Sequence, residues 1–131
     1  MPVTLKLVTP VKVMPPVQGH QITFSASDGE IGIRQGHAPL VALVGFGMVE
    51  VVQVDGMRQT WAVRGGVAQV LMDEVNILVI EAKELAAIEP AKVQARLAVL
   101  QGGEKPQGSD EEAWLRGQLM VVEHSKHSTK H

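Results

Sequence analysis

Histidine has the widest chemical repertoire of the side chains in this sequence, and five histidines occur among its 131 residues. Three of them, His124, His127 and His131, follow one another at spacings of three and four. On a helix this spacing would place the imidazoles on one face, where they could bind zinc. The chain has no cysteine to complete such a site, and a polar terminal segment does not hold ligands rigidly. We therefore expect a solvated tail and no metal site.

Catalytic chemistry has no better support in the sequence. A serine nucleophile of the α/β-hydrolase type needs the pattern G-x-S-x-G, which does not occur. Gly65-Gly66 is not followed by the Lys-Ser or Lys-Thr pair of a phosphate-binding loop. Acidic residues are adjacent in sequence at Asp73-Glu74 and at 110–112. The first pair is explained by a hairpin turn and the second group by a helix N-terminus, so neither needs a catalytic role. We predict a protein without a catalytic site and without a cofactor.

Composition and charge exclude further classes of function. The net charge is −2 and aromatic residues make up 3% of the chain. The chain therefore lacks both the basic surface that binds phosphates and the aromatic rings that stack on bases, which argues against nucleic-acid binding. Hydrophobic residues make up 45%, enough for a folded core, yet no apolar run approaches the ~18 residues of a membrane span. The N-terminus lacks the pattern of an export signal. We expect a soluble cytoplasmic protein, or one peripheral to a larger assembly, without direct membrane insertion.

The elements that position these residues change in type near residue 88. Before it, short apolar stretches alternate with turn signals about every 8–12 residues, which is typical of an all-β sandwich. Asp55-Gly56 predicts a two-residue type I′ hairpin turn, and Asp73-Glu74 predicts a second turn. Residues 77–80 are apolar without alternation, which predicts a strand covered on both faces. Residues 1–87 are therefore assigned to a β-sandwich domain.

Beyond that point the apolar spacing becomes helical. A first helix is predicted over 90–101, because proline suits its first position and glycine its end. A second helix is predicted over 110–123, with acidic residues in its first turn. The apolar stripes of the two helices consist of Val93, Leu97 and Leu100, and of Leu115, Leu119 and Val122. Residues 88–124 thus form an antiparallel α-helical hairpin, followed by a polar flexible tail over 125–131.

The most distinctive stretch of the sequence lies between residues 29 and 40, with three glycines in its first eight positions. It reads Gly29-Glu30-Ile31-Gly32-Ile33 and, after two residues, Gly36-His37-Ala38-Pro39-Leu40. Glycine permits tight backbone and the proline keeps the preceding alanine extended, so one acid and one histidine stand on a rigid contact surface. This pattern resembles the epsilon subunit of F-type rotary ATP synthases, and segments 47–51 and 63–70 resemble the same family. The resemblance covers about residues 3 to 100.

The resemblance implies both a fold and a role. The fold is an N-terminal β-sandwich with a C-terminal helical hairpin, in agreement with the periodicities. The role is that of a non-catalytic central-stalk subunit that turns with the gamma subunit and the membrane rotor ring. It couples proton flow to ATP synthesis at the cytoplasmic face of the bacterial inner membrane. The hairpin would be a regulatory arm able to reach the alpha/beta catalytic head.

The same resemblance implies which residues contact partners. Glu30 would face the rotor ring, and His37 would face gamma. The implied interface residues are Glu30, Ile31, Gly32, Gly36, His37, Ala38 and Pro39.

The start of the hairpin departs from a nucleotide-binding motif that some relatives carry. That motif reads Ile-Asp-x-x-Arg-Ala, and the matching positions here hold Ile88, Glu89, Lys92 and Val93. The lysine ammonium lacks the planar two-point contact of a guanidinium. We therefore expect no ATP binding at these residues.

A hypothesis from a different class stays open at this stage. The chain could be a free-standing β-sandwich protein-binding module whose helical hairpin forms a dimer. Co-purification with a gamma subunit would favour the first hypothesis over this one.

Overall fold

The computed structural model describes residues 2–27, 29–102 and 110–128. Within these ranges, eight strands are followed by a short 3₁₀ helix and two α-helices. The strands are β1 (Val3–Thr9), β2 (Lys12–Val13), β3 (Val17–Gly19), β4 (Gln21–Ala26), β5 (Gly29–Ile33), β6 (Leu40–Val52), β7 (Arg58–Leu71) and β8 (Glu74–Glu84). The 3₁₀ helix spans Leu85–Ala87, and the α-helices are α1 (Pro90–Gln101) and α2 (Asp110–Ser128). This order confirms the predicted sandwich followed by a helical hairpin.

The strands form one sheet that folds over on itself. Its order is β2-β1-β8-β7-β6-β4-β5, with β3 also paired to β1, and β1 pairs with β8 in parallel whereas the other pairs are antiparallel. The closure is visible where β1 contacts β4 and β3 contacts β6. At that seam the His20 backbone N–H donates to the Val52 carbonyl at 3.0 Å. The result is a β-sandwich with two facing layers.

Aliphatic side chains fill the space between the two layers. Val3, Leu5 and Leu7 of β1 are at most 1% exposed, because successive side chains of a strand point to opposite faces. The remaining buried members of this core are Ile22, Phe24, Ile33, Val44, Val49, Val51, Trp61, Val63, Ala68, Val70, Val75, Ile77 and Val79. Burying each large side chain stabilises the fold by ~1.5–3 kcal/mol before entropy is counted. This core therefore holds the strands and gives their outer faces a rigid support.

The turn between β6 and β7 differs from the predicted type I′ turn. Of its residues 54–56, all within the described part of the chain, Gly56 alone takes a positive φ, of 88°. The Gln53 carbonyl accepts the Gly56 N–H at 2.9 Å, and the Asp55 carboxylate accepts the Met57 N–H at 2.9 Å. This is the three-residue loop in which a turn is followed by a left-handed glycine. The aspartate stabilises it by bonding to the backbone two residues on.

The turn between β7 and β8 lies one residue earlier than predicted, at Met72-Asp73. Leu71 pairs with Glu74 across it, and Met72 and Asp73 take φ values of 51° and 65°. Two successive residues of positive φ make a type I′ turn, here without the glycine that such turns usually contain. Methionine is rarely found there, so the sequence signal was weak. The Asp73 carbonyl accepts the Thr4 N–H at 2.9 Å, which ties the turn to β1.

The second helix is longer than predicted. Helix α1 has the predicted bounds, but α2 continues to Ser128, whereas the sequence predicted an end at residue 123 and a flexible tail from 125. His124 is anchored because its Nε2 lies 3.1 Å from the Glu50 carboxylate of β6. The Ser125 hydroxyl also donates to the Val122 carbonyl at 2.8 Å. Residues 129–131 lie outside the described part of the chain.

A second apolar cluster holds the hairpin on the sandwich. Helix α2 packs on β6 and β7, and α1 packs on α2. Of the stripe predicted for α2, Leu115 is buried, whereas Leu119 and Val122 are half-buried. Trp114, Gly117, Gln118 and Val121, which were not predicted, are also buried. The cluster's buried members are Met48, Ala62, Ile88, Val93, Leu100, Trp114, Leu115 and Val121. An ion pair of 2.7 Å between Arg96 and Glu111 joins the two helices at their exposed side.

Replacing Gly117 with alanine tests how closely α2 packs on the sheet. A Cβ at this position would lie 4.0 Å from the Gly47 nitrogen, an ordinary van der Waals contact, and alanine favours a helix interior by ~1 kcal/mol over glycine. We expect Gly117→Ala to slow amide hydrogen exchange throughout α2. Gly66→Ala is the matched control and should destabilise the chain, because its Cβ would collide with the Leu78 carbonyl. Exchange in α2 that is unchanged or faster in Gly117→Ala would contradict this packing.

Candidate partner interface

Strand β5 carries the first half of the predicted interface at the edge of the sheet. It pairs with β4 on one side, with Glu30 opposite Ser25 and Gly32 opposite Thr23, and it ends the order of strands. Glu30 and Gly32 are exposed, whereas Ile31 packs against the sandwich core. The glutamate therefore stands on regular backbone with its carboxylate free to meet a partner, and the isoleucine anchors the strand beneath it.

The loop after β5 carries the second half, and its backbone is held at several points. Gly36 has a φ of 79°, which glycine adopts without steric cost. The His37 N–H donates to the Arg34 carbonyl at 3.2 Å. The His37 Nδ1 lies 2.7 Å from the Ala38 carbonyl oxygen. All residues from 34 to 39 are exposed, so the loop is fixed from below while its side chains face solvent.

Two contacts fix this loop to the rest of the sandwich. The Gly36 N–H donates to the Asp73 carboxylate at 2.8 Å, which uses the strained turn between β7 and β8. The Arg34 guanidinium donates to the Gln21 side-chain oxygen through Nε at 3.1 Å and Nη2 at 2.9 Å. Sequence reasoning missed Asp73 as a residue of this site. The two partners are 37 residues apart, and no local pattern joins them.

The structure brings part of the predicted set together. Gly32, Gly36 and His37 line one shallow depression with Gln21 and Arg34. Ala38 and Pro39 continue from it into β6, and Glu30 stands apart on β5. The predicted loop residues Gly36 to Pro39 thus form an exposed segment beside Gly32, while Glu30 supplies a separate charged group on β5.

An apolar patch on the outer face of the sheet adjoins this loop, and we call it the outer face. It consists of Val41, Leu43, Val67, Leu78 and Ile80, which are between 40% and 70% exposed. Leu43 pairs with Val67, and Val67 with Leu78, so three side chains form one row across three strands. The sequence predicted that residues 77–80 are covered on both faces. That expectation is wrong for the isolated chain, since Ile77 and Val79 are buried but Leu78 and Ile80 are not.

The residues that match the nucleotide motif do not converge on a common site. Ile88 is buried among the helices and Met48, whereas Glu89 and Lys92 are exposed and paired at 2.8 Å. The Lys92 ammonium, first by its hydrogen bond and then by its charge, lowers the pKa of the Glu89 carboxyl below its ordinary value. Glu89 in turn raises the pKa of Lys92 by the same contacts. A phosphate would have to compete with this internal partner for the lysine.

The tail histidines lie only partly within the described residues. His124 contacts Glu50, as described above, while the His127 side chain and all of His131 lie outside them. Among the described residues, no group of three or more histidine, aspartate or glutamate side chains is placed to hold a metal ion. No helix within these residues is long and apolar enough to cross a membrane.

Comparison with known proteins identifies the family. Residues 2–85 match the family model for the ATP synthase delta/epsilon chain β-sandwich domain. The ATP synthase epsilon chain of Gloeothece citriformis is 34% identical over 125 residues, which cover 88% of this chain and 90% of that relative. The epsilon chain of a Synechococcus species is 33% identical over 97 residues, covering 74% and 70%. The chain belongs to the ATP synthase epsilon-chain family. Its members are non-catalytic subunits, in agreement with the missing catalytic motifs, and the hypothesis of a free-standing module has no support.

Two solved structures share the fold of this epsilon-family chain. A chain in the Euglena gracilis mitochondrial ATP synthase, solved as OSCP/F1/c-ring, aligns with a TM-score of 0.74 and 22% identity over 97% of this chain and 81% of its own length. A chain in the central stalk and c-ring of the Tetrahymena thermophila mitochondrial enzyme aligns with a TM-score of 0.60 and 16% identity, covering 91% and 95%. The coverage extends beyond the sandwich, so the helical hairpin belongs to the shared fold.

The altered nucleotide motif predicts that the full chain does not bind Mg-ATP in the micromolar range. Lys92 is paired with Glu89, and it cannot offer the two-point contact of an arginine. Isothermal titration of the chain with Mg-ATP is expected to give no saturable heat at micromolar ligand. A micromolar isotherm that disappears in Lys92→Ala but persists in Lys12→Ala would contradict this expectation.

Proposed function

We propose that this chain is the epsilon subunit at the foot of the ATP synthase central stalk, where its sandwich binds the gamma subunit and the membrane rotor ring. Rotation of this unit couples proton flow to ATP synthesis. In this proposal the chain is peripheral to the cytoplasmic face of a bacterial inner membrane. The observation that carries the proposal is a rigid, exposed loop directly beside an uncovered apolar face.

The outer face has the composition of a protein-binding surface. Its centre is aliphatic. An ion pair of 3.4 Å between Arg64 and Glu81 joins two of its strands, β7 and β8, and one of 2.7 Å between Lys6 and Glu74 joins β8 to the neighbouring β1. An apolar centre with charged surroundings is typical of stable interfaces. Monomeric proteins rarely leave such a contiguous patch without a function. Gamma is the proposed partner, since residues 77–80 have the composition of a strand covered on both faces.

The fixed loop suits a contact that must persist while the rotor turns. Its backbone is already ordered by the Gly36–Asp73 and Arg34–Gln21 contacts, so binding does not have to order it, which preserves affinity. His37 is proposed to contact gamma beside the outer face. Glu30, on the edge strand, is proposed to contact the polar surface of the rotor ring. The other residues of this interface are Ile31, Gly32, Gly36, Ala38 and Pro39.

The helical hairpin is proposed to act as a regulatory arm that can contact the alpha/beta catalytic head. Helix α1 has only 12 residues and would be marginal in water as an isolated helix. Both helices bury apolar side chains in the cluster shared with Met48 and Ala62, so the arm depends on burial against the sandwich. Helix α1 packs on α2, and α2 is the helix that packs on β6 and β7. If the contacts of α2 with β6 and β7 were lost, both helices would therefore leave the sandwich together.

Charge reversal at Glu30 tests the rotor-ring contact. We expect Glu30→Lys to lower the protons pumped per ATP hydrolysed in the reconstituted complex, and Glu30→Gln to have a smaller effect, because only the first introduces a repulsive charge. Folding should change by no more than ~0.5 kcal/mol, as for other exposed substitutions. Glu84→Lys is the matched control, because Glu84 is an exposed glutamate that β7, β6 and β4 separate from β5 in the sheet. Unfolding of Glu30→Lys, or equal coupling in all variants, would rule this contact out.

A further inference from the structure

Glu50 is a carboxylate that both the sheet and the hairpin bind. Its side chain is 6% exposed, and it lies near the end of β6, two residues before Val52. The Arg58 Nη1 donates to one carboxylate oxygen at 2.9 Å, and the Thr60 hydroxyl donates to the other at 3.0 Å. Thr60 is the direct partner of Glu50 across the ladder. The sheet therefore holds the carboxylate in place from its own side.

The third partner of this carboxylate comes from the hairpin. The His124 Nε2 lies 3.1 Å from the same oxygen that accepts the Thr60 hydroxyl, and a carboxylate can only accept, so the imidazole N–H donates. The two residues are 74 positions apart. This contact exists only while α2 lies on β6 and β7. Release of the hairpin would open the carboxylate to water and remove its third donor.

Gln118, a buried polar residue of α2, acts in the opposite direction. Gln118 is 3% exposed, and its side-chain oxygen has no hydrogen-bond partner among the residues that the structure describes. It belongs to the stripe of α2 that faces the sheet, between Trp114 and Val121. A buried acceptor without a partner disfavours the state that buries it, because water would satisfy it on release.

We infer that the Glu50–His124 contact is a latch that holds the hairpin on the sandwich, and that the unsatisfied Gln118 side-chain oxygen keeps the docked state easy to leave. The latch lies towards the carboxyl end of α2, and Gln118 lies near the middle of the docked stripe. Within one interface, the His124 contact stabilises the docked state, and the unsatisfied Gln118 oxygen destabilises it. A regulatory role for this latch rests on the proposed function of the hairpin as an arm. The latch itself can be tested in the isolated chain.

Hydrogen-exchange mass spectrometry on the full-length chain, at one pH, tests the latch. His124→Ala leaves the buried Glu50 with one donor fewer, so we expect amides of α2 to exchange about 10-fold faster or more, which is the effect of losing a hydrogen bond to a charged group. Gln118→Leu removes the unsatisfied oxygen, and α2 should then exchange several-fold more slowly. Amides of β1 and β8 should keep their protection in both variants, because the sandwich core is untouched.

His20→Ala is the matched control, since His20 is an exposed histidine outside the docking surface. His124→Gln is a second control, because its amide can also donate to the carboxylate and should restore part of the protection. The latch is refuted if His124→Ala changes α2 exchange no more than His20→Ala does. The opposing role of Gln118 is refuted if Gln118→Leu speeds exchange in α2. Neither result depends on gamma or the rotor ring, so this test can fail while the Glu30 coupling test succeeds, and the reverse.

Discussion

The two-stranded segment formed by residues 47–51 of β6 and 60–63 of β7 is buried on both faces, and both halves of the molecule depend on it. On one face Val49, Val51 and Trp61 belong to the sandwich core. On the other face Met48 and Ala62 lie under the helices. The alternation of a strand makes this possible, because neighbouring residues serve opposite faces. The hairpin therefore rests on the same backbone that closes the sandwich.

The two faces of that segment differ in polarity, and this difference makes the sandwich core more stable than the contact between the helices and the sheet. The inner face is wholly apolar at these positions, so the sandwich core loses much if it opens. The helix-facing side includes Glu50 and Thr60, which are 5% and 4% exposed, and the buried stripe of α2 includes Gln118. Polar groups gain less from burial than apolar groups of the same size. The layer between helix and sheet is thus the weaker of the two, in keeping with the proposed role of the hairpin as an arm.

Sequence reasoning succeeded where a local pattern determines the structure. Proline and glycine mark the ends of α1, so its bounds were predicted correctly, and the glycine-rich segment at 29–40 pointed to the family and to the exposed loop. It failed at the turn Met72-Asp73, because two residues that are not glycine take a positive φ there. Asp73 is also held by contacts with Gly36 and Thr4, which are distant in sequence. Sequence reasoning also assigned Leu119 and Val122 to the buried stripe of α2, where they are only half-buried, because a glycine and a glutamine occupy buried positions that periodicity assigns to solvent.

The contacts between distant residues carry no local signal at all. The Gly36–Asp73 bond and the Glu50–His124 contact join residues 37 and 74 positions apart. His124 looked like part of a polar tail, since its neighbours in sequence are polar and its partner lies on a strand of the sandwich. The exposure of the outer face was likewise not predictable from the sequence. An apolar strand that a partner protein covers has the same composition as one that its own chain covers.

The central claim is that gamma binds the outer face of the sandwich and not the hairpin, and affinity for purified gamma tests it most directly. Leu78→Glu places a charge in the middle of the outer face, and we predict that it weakens binding of the full chain by at least about 10-fold, since an unpaired charge would be buried. Val99→Glu makes the same kind of change at an aliphatic residue of α1 that is 61% exposed, and it should bind gamma as the unmodified chain does. Equal affinity of Leu78→Glu and the unmodified chain, or equal losses in both variants, would contradict the account.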